Sequence, residues 1–152
     1  MQSTSTTVFL PDEAATIKLG AKLAEITPNN FVIYLYGELG AGKTTLVRGF
    51  LQKLGHLDRV KSPTYTIMET YQLTNKIVHH LDLYRLTDPE ELNFIGIRDF
   101  AETDIWLIEW PENGKGFLPA PNLCCYLETK NSGRMATFKA ENKIISKLEL
   151  QG

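Results

Sequence analysis

Apolar residues fall along this chain in two rhythms. Phe31-Val32-Ile33-Tyr34-Leu35-Tyr36 is an unbroken apolar and aromatic run, the pattern of a parallel strand buried on both faces. A short strand at Thr7–Leu10 precedes it. Pro11-Asp12 then opens a helix, with Asp12 as its cap and Ala15, Leu19, Leu23 and Ile26 as its inner stripe. After the apolar run, Thr44–Leu51 carries apolar residues at helical spacing, and Gly55 is a good stop just past Leu54. Ser62-Pro63-Thr64 breaks the pattern. Tyr65–Leu73 and Ile77–Leu83 are strand-like and joined by Thr74-Asn75-Lys76, a hairpin signature. Asp88-Pro89-Glu90-Glu91-Leu92 begins a short helix with Asp88 as cap, and Asp104–Glu109 is another strand. Asn122–Thr129 and Met135–Ala140 form a second hairpin around Asn131-Ser132-Gly133, and the residues after Ala140 carry no usable motif. The sum is an α/β protein: one mixed sheet with parallel central strands, antiparallel flanking strands and covering helices.

Length and charge narrow the class. At 152 residues the chain is expected to form a single domain, 1–152, with a full core. A net charge of −2 argues against a stand-alone nucleic-acid binder, which would carry a basic excess. Cys124 and Cys125 are adjacent, so a strand points them to opposite faces, as small apolar strand residues rather than a disulfide. The first residues, Met1–Thr7, show neither a basic region nor an apolar core of a secretory signal, and no apolar run reaches membrane-spanning length. The expected location is therefore cytoplasmic, away from membranes.

The chemistry is concentrated in Gly37-Glu38-Leu39-Gly40-Ala41-Gly42-Lys43-Thr44, which fits G-x-x-x-x-G-K-[ST] and is followed by Thr45. It sits between a predicted strand and a predicted helix, the context such a loop requires. Glycines let successive backbone N–H groups turn inward on phosphate oxygens, and the helix start adds free N–H groups and a positive dipole end. Lys43, expected on the loop surface, supplies charge to the β- and γ-phosphates, and the Thr44 hydroxyl is a Mg²⁺ ligand candidate.

Two apolar strands end in acids. Ile105-Trp106-Leu107-Ile108-Glu109 and Ile77-Val78-His79-His80-Leu81-Asp82 are each placed to bring a carboxylate toward the loop, one for the metal and one for the attacking water, and the residues alone leave the assignment open; the alternative for Glu109 is an ordinary solvated strand end. His79 and His80 alternate across their strand, so at most one faces the site; both read more naturally as satisfied or exposed histidines, without zinc-site spacing. Thr64, in Ser62-Pro63-Thr64, stands where nucleotide switches carry a threonine sensing the γ-phosphate through Mg²⁺; the alternative is an ordinary Ser-Pro turn.

Four segments occur in order: Gly37–Thr45, Ser62–Thr64, Leu81–Leu86 (Leu-Asp-Leu-Tyr-Arg-Leu) and Ile108–Glu112 (Ile-Glu-Trp-Pro-Glu). Together they resemble the TsaE (YjeE) family of small bacterial ATPases in tRNA threonylcarbamoyladenosine formation, over nearly the whole chain. The resemblance implies a P-loop NTPase fold, ATP/ADP and Mg²⁺ as cofactors, slow hydrolysis, and partnership with the TsaB and TsaD proteins on tRNAs that read codons starting with A. Contact with tRNA would then be indirect, through that complex. Carried over by residue, Lys43 and Thr44 hold phosphates and metal, Glu109 matches the metal-side acid, Asp82 the second acid, and Thr64 the switch threonine. Trp110 matches the tryptophan after the acid; it is either a partner contact, with Pro111-Glu112, or buried against a helix. Arg134, in the last hairpin, either reaches the nucleotide or is an exposed turn arginine. Leu10–Asp12 is the segment left to border the adenine.

Three other readings compete. A guanine reader needs Asn-Lys-x-Asp, and Asn75-Lys76-Ile77-Val78 lacks the aspartate. A small-molecule P-loop kinase needs a substrate lid, normally helical and arginine-rich, whereas the second half of this chain is β-rich. A non-catalytic nucleotide-dependent assembly module shares all the binding features and differs only in turnover. Arg85 is the one internal candidate for an arginine finger.

Overall fold

The computed structural model describes residues 3–97 and 103–150. Seven strands form one sheet: β1 (Ser3–Leu10), β2 (Phe31–Tyr36), β3 (Met68–Gln72), β4 (Ile77–Asp82), β5 (Ile105–Glu109), β6 (Leu123–Lys130) and β7 (Gly133–Glu141). Their order is β1-β7-β6-β2-β5-β4-β3. β6, β2, β5 and β4 run parallel, while β1–β7, β7–β6 and β3–β4 are antiparallel. This is the mixed sheet that the sequence predicts. Among the described residues four α-helices accompany it: α1 (Glu13–Ile26), α2 (Lys43–Lys53), α3 (Glu91–Phe94) and α4 (Asn142–Leu150). None is long and apolar enough to cross a membrane.

Side-chain alternation splits the interior in two. Ile33, Leu35, Ile105 and Leu107 point to one face, where Leu23 of α1, Leu46, Val47 and Phe50 of α2, and Ile145 and Leu148 of α4 cover them. Val32, Trp106 and Ile108 point to the other face and meet Leu81, Leu83, Leu86 and Leu92. Being buried on both faces explains why the central strands read as continuous apolar runs. Cys125 is buried and Cys124 half-buried, and both are free thiols. Burial raises the thiol pKa of each, most strongly for Cys125.

α1 and α2 touch backbone to backbone. A Cβ on Gly20 would stand 2.1 Å from the Leu46 carbonyl oxygen, and one on Gly49 would stand 2.1 Å from that of Ile17. Only glycine permits so close an approach.

Four elements differ from the sequence expectation. β1 extends back to Ser3, because β7 supplies partners from Ser3↔Glu141 to Leu10↔Arg134. The strand expected from Tyr65 begins only at Met68, because Ile67 takes a φ of 69° and its N–H bonds Pro63 O at 2.7 Å, closing a turn. α3 is short as expected but begins at Glu91 with Glu90, not Asp88, at its N-cap; Asp88 instead accepts from Glu90 N at 3.0 Å while its own N–H bonds the Glu91 carboxylate at 3.2 Å. α4 occupies the tail that carried no motif. Asp12 caps α1 as expected, accepting from Ala15 N at 2.9 Å.

Candidate functional site

β2, β5 and β4 deliver their carboxyl ends to one place, where ligands of open α/β sheets bind. β2 runs into Gly37–Gly42, and the chain turns at Gly42 (φ 105°) into α2. No side chain caps α2, so the N–H groups of its first turn remain free to face an anion. β4 ends at Asp82 and β5 at Glu109, paired in register as Asp82↔Glu109.

A cavity of about 250 Å³ opens there, lined among others by Lys43, Thr44, Thr64, Asp82, Glu109 and Trp110. Thr44 Oγ1 donates to Glu109, 3.1 Å from Oε2 and 3.4 Å from Oε1. Thr64 Oγ1 donates to Asp82 Oδ2 at 3.4 Å, and Ser62 Oγ lies 2.8 Å from Thr64 Oγ1. Asp82 Oδ1 accepts from Tyr84 N at 3.0 Å. Residues separated by up to 65 positions thus converge on two carboxylates. Burial and the neighbouring Glu109 raise the Asp82 pKa above its ordinary value, opposed by the Tyr84 N–H, His80 and Thr64. Two buried acids beside a hydroxyl make an all-oxygen donor set suited to a hard divalent cation. Among the described residues no group of three or more His, Cys, Asp or Glu forms a cage. That sparse set fits Mg²⁺, which retains waters and takes further ligands from phosphates.

Lys43 is not on the loop surface as the sequence suggested; it is 5% exposed. Its Nζ donates to Gly37 O and, at 3.0 Å, to Glu38 O, and lies 4.6 Å from the centre of the Trp110 ring. Burial lowers its pKa, while Glu109, Asp82, Glu112 and Glu38 counter that shift. Trp110 adopts left-handed backbone (φ 57°, ψ 50°) and leans on Tyr84, ring centres 5.0 Å apart. It is half-buried, packs against the core cluster of Val32, Leu83, Leu92 and Ile108, and faces Lys43.

A second cavity, about 330 Å³, adjoins the first across the loop; Gly40, Gly42 and Thr45 line both. Its other walls include Leu10, Pro11, Asp12, Gly133 and Arg134. Arg134 donates from Nη2 to Gly40 O at 3.0 Å, tying the last hairpin to the phosphate loop. Asp12 and Arg134 therefore sit beside the loop, but not with Asp82 and Glu109. Arg85 is not among the lining residues of either cavity; its guanidinium lies over the exposed Tyr65 ring at 4.7 Å.

Both histidines are buried and each meets an acid, but they differ from the sequence reading in one respect. His80 shares the site face of β4 and approaches Glu109. Its place two residues before Asp82 was the available signal, since i and i+2 share a face; the neighbouring Glu109 was not visible without the pairing.

The family model for "Threonylcarbamoyl adenosine biosynthesis protein TsaE" matches residues 10–137. The "tRNA threonylcarbamoyladenosine biosynthesis protein TsaE" of Haemophilus influenzae is 47% identical over 146 residues, covering 92% of this chain and 92% of that protein. The protein of the same name from Rickettsia felis is 34% identical over 147 residues, covering 93% and 86%. The crystal structure of YdiB from Bacillus subtilis superposes with a TM-score of 0.78 at 24% identity, covering 99% and 98%, a likeness of fold.

Proposed function

Since the chain belongs to the TsaE family of threonylcarbamoyl adenosine biosynthesis proteins, we propose that it binds ATP and ADP with Mg²⁺ and hydrolyses ATP slowly as one domain of tRNA modification. The observation that carries this reading is the meeting of Lys43, Thr44, Thr64, Asp82 and Glu109 around one cavity at the carboxyl ends of β2, β4 and β5. In it, the Gly37–Thr45 loop wraps the phosphates, with backbone N–H groups and Lys43 supplying positive charge. Thr44 and Glu109 hold Mg²⁺ directly or through water, Asp82 stands beside them, and Thr64 reports the γ-phosphate. Bound Mg²⁺ contributes neutralisation of phosphate charge. Asp82, its pKa raised by burial and by Glu109, accepts a hydrogen bond from the attacking water. The base and ribose occupy the adjoining cavity, between Leu10–Asp12 and Arg134. In this reading turnover is slow because no arginine is among the described residues lining the phosphate cavity; an arginine supplied in trans is worth about 10³–10⁵ in rate.

The partners in this reading are the TsaB and TsaD proteins, acting on tRNAs that read codons starting with A, in the cytoplasm. A chain with near-neutral charge leaves the tRNA to them. The half-exposed Trp110 face, roofing the lysine that meets phosphate, is the nucleotide-sensitive contact.

Titration calorimetry with ADP and ATP, with and without magnesium, tests binding, and a single-turnover assay separates an ATPase from an assembly module. Tight binding with no hydrolysis, alone or with TsaB and TsaD, would favour the module. Absence of binding would end the proposal.

A further inference from the structure

His80 is 0% exposed, and the functional reading above makes no use of it. It leaves β4 on the same face as Asp82, and the register Leu81↔Ile108, Asp82↔Glu109 brings the end of β5 alongside. His80 Nε2 lies 2.6 Å from Glu109 Oε2. Its Nδ1 is buried with no hydrogen-bond partner among the described residues.

A carboxylate accepts, so in the 2.6 Å contact the imidazole Nε2–H is the donor. Glu109 is 3% exposed, and its described side-chain partners are this imidazole and the Thr44 hydroxyl. The two grip the carboxylate from different directions: one from the adjacent strand, the other from the first turn of α2.

We propose that His80 is a positioning residue: its Nε2–H locks the Glu109 carboxylate in the orientation that presents it, with Thr44 and Asp82, to a divalent cation. The proposal rests on the magnesium-nucleotide reading above. It gives the strand-end acid what metal-binding groups need, a neighbour that fixes rotamer and lone pairs before the ion arrives. Loss of such an outer partner typically costs about 10–100-fold in metal affinity.

Calorimetry of ADP binding, with magnesium and in excess chelator, separates the two ideas. In His80→Leu, metal-free ADP affinity stays within about twofold of wild type, while the gain from magnesium shrinks by about 10–100-fold. His80→Gln, which keeps an N–H near the Nε2 position, recovers most of that gain. A folded His80→Leu with the full magnesium gain would overturn the proposal, as would equal loss of metal-free and magnesium-linked affinity. If His80→Leu does not fold, nitrogen NMR of the wild-type imidazole decides: a protonated Nε2 and bare Nδ1 support the role, and the reverse tautomer refutes it. Wild-type ADP affinity indifferent to magnesium would instead overturn the functional reading itself, and the positioning role with it.

Discussion

Successive residues of β4 make two buried histidine–carboxylate pairs with the same spacing. His79 Nε2 stands 2.6 Å from Asp104 Oδ2 on one face, and His80 Nε2 stands 2.6 Å from Glu109 Oε2 on the other. Their surroundings separate them. The His79 ring is engaged on its remaining sides: Nδ1 lies 2.8 Å from Thr70 Oγ1, and Trp106 packs 4.4 Å away. Asp104 precedes β5, at the end of the sheet away from the phosphate loop, while Glu109 closes the same strand beside Thr44 and Asp82. Asp104 even borders a cavity of about 430 Å³, walled by Asn29, Thr74, Asn75, Lys76 and Thr103. Among the described residues, that cavity is lined by neither a glycine loop nor a helix start. Burial and a short histidine–carboxylate contact therefore do not define a site; what the carboxylate faces does.

The largest effect should come from the pair outside the site. Asp104→Ala removes the buried carboxylate that stands 2.6 Å from His79 Nε2, and losing a hydrogen bond to a charged group typically costs about 1.5–3 kcal/mol, to which the vacated space adds. We expect a sharp fall in Tm with ADP affinity preserved in the protein that remains folded. A comparable loss of affinity would break the contrast, making both ends of β5 part of one functional unit.

On the site side, Lys43→Ala should lose about 10–150-fold in ADP affinity, the worth of a charged hydrogen bond of about 1.5–3 kcal/mol, as read by calorimetry. Its fold should survive despite the burial of Lys43, because the residue serves loop carbonyls and not the apolar core. Glu109→Gln keeps an oxygen for the His80 N–H and removes only charge. It should weaken magnesium-linked nucleotide binding by at least about tenfold, by analogy with metal ligands and their supports, and barely change Tm.

The smallest effect is a gain. The raised pKa of Asp82 means that its charged form is disfavoured in the folded state. Its contribution to stability is full below the unfolded value near 3.8 and is lost as pH rises through the folded value. Asp82→Asn should therefore stabilise the metal- and nucleotide-free protein increasingly from about pH 4 upward. The expected reading is a gain in Tm over wild type that grows with pH. Thermal melts in chelator across pH 4–8 would show it; a flat difference would mean that Asp82 shares no burden with Glu109.

Much of this arrangement is legible in the residues. The glycine loop between an apolar run and a helix, the acids closing Ile77–Asp82 and Ile105–Glu109, and both hairpins are local patterns of period and turn chemistry. What escaped reading was non-local. Which histidine met Glu109 depended on β5 lying beside β4, a pairing across 25 or more residues of chain. Lys43 is buried because Trp110 turns back over it at a positive φ, a conformation that a tryptophan does not announce and that costs about 1–3 kcal/mol. α4 was a different kind of miss: Ile145 and Leu148 stand three apart and face the core, a signal present but short.

The contact of Gly20 with Leu46 and of Gly49 with Ile17 has a mechanical meaning. α2 begins with Lys43 and Thr44 in one cavity, and α1 begins just after Asp12 in the other. Pressed spine to spine, the two helices act as a caliper set to one gap. The spacing between the two cavities is then held by helix backbones and owes little to side-chain rotamers. Drift in surface residues leaves that gauge untouched, whereas a single methyl at Gly20 or Gly49 would respace both cavities at once, from a position inside the protein that touches neither.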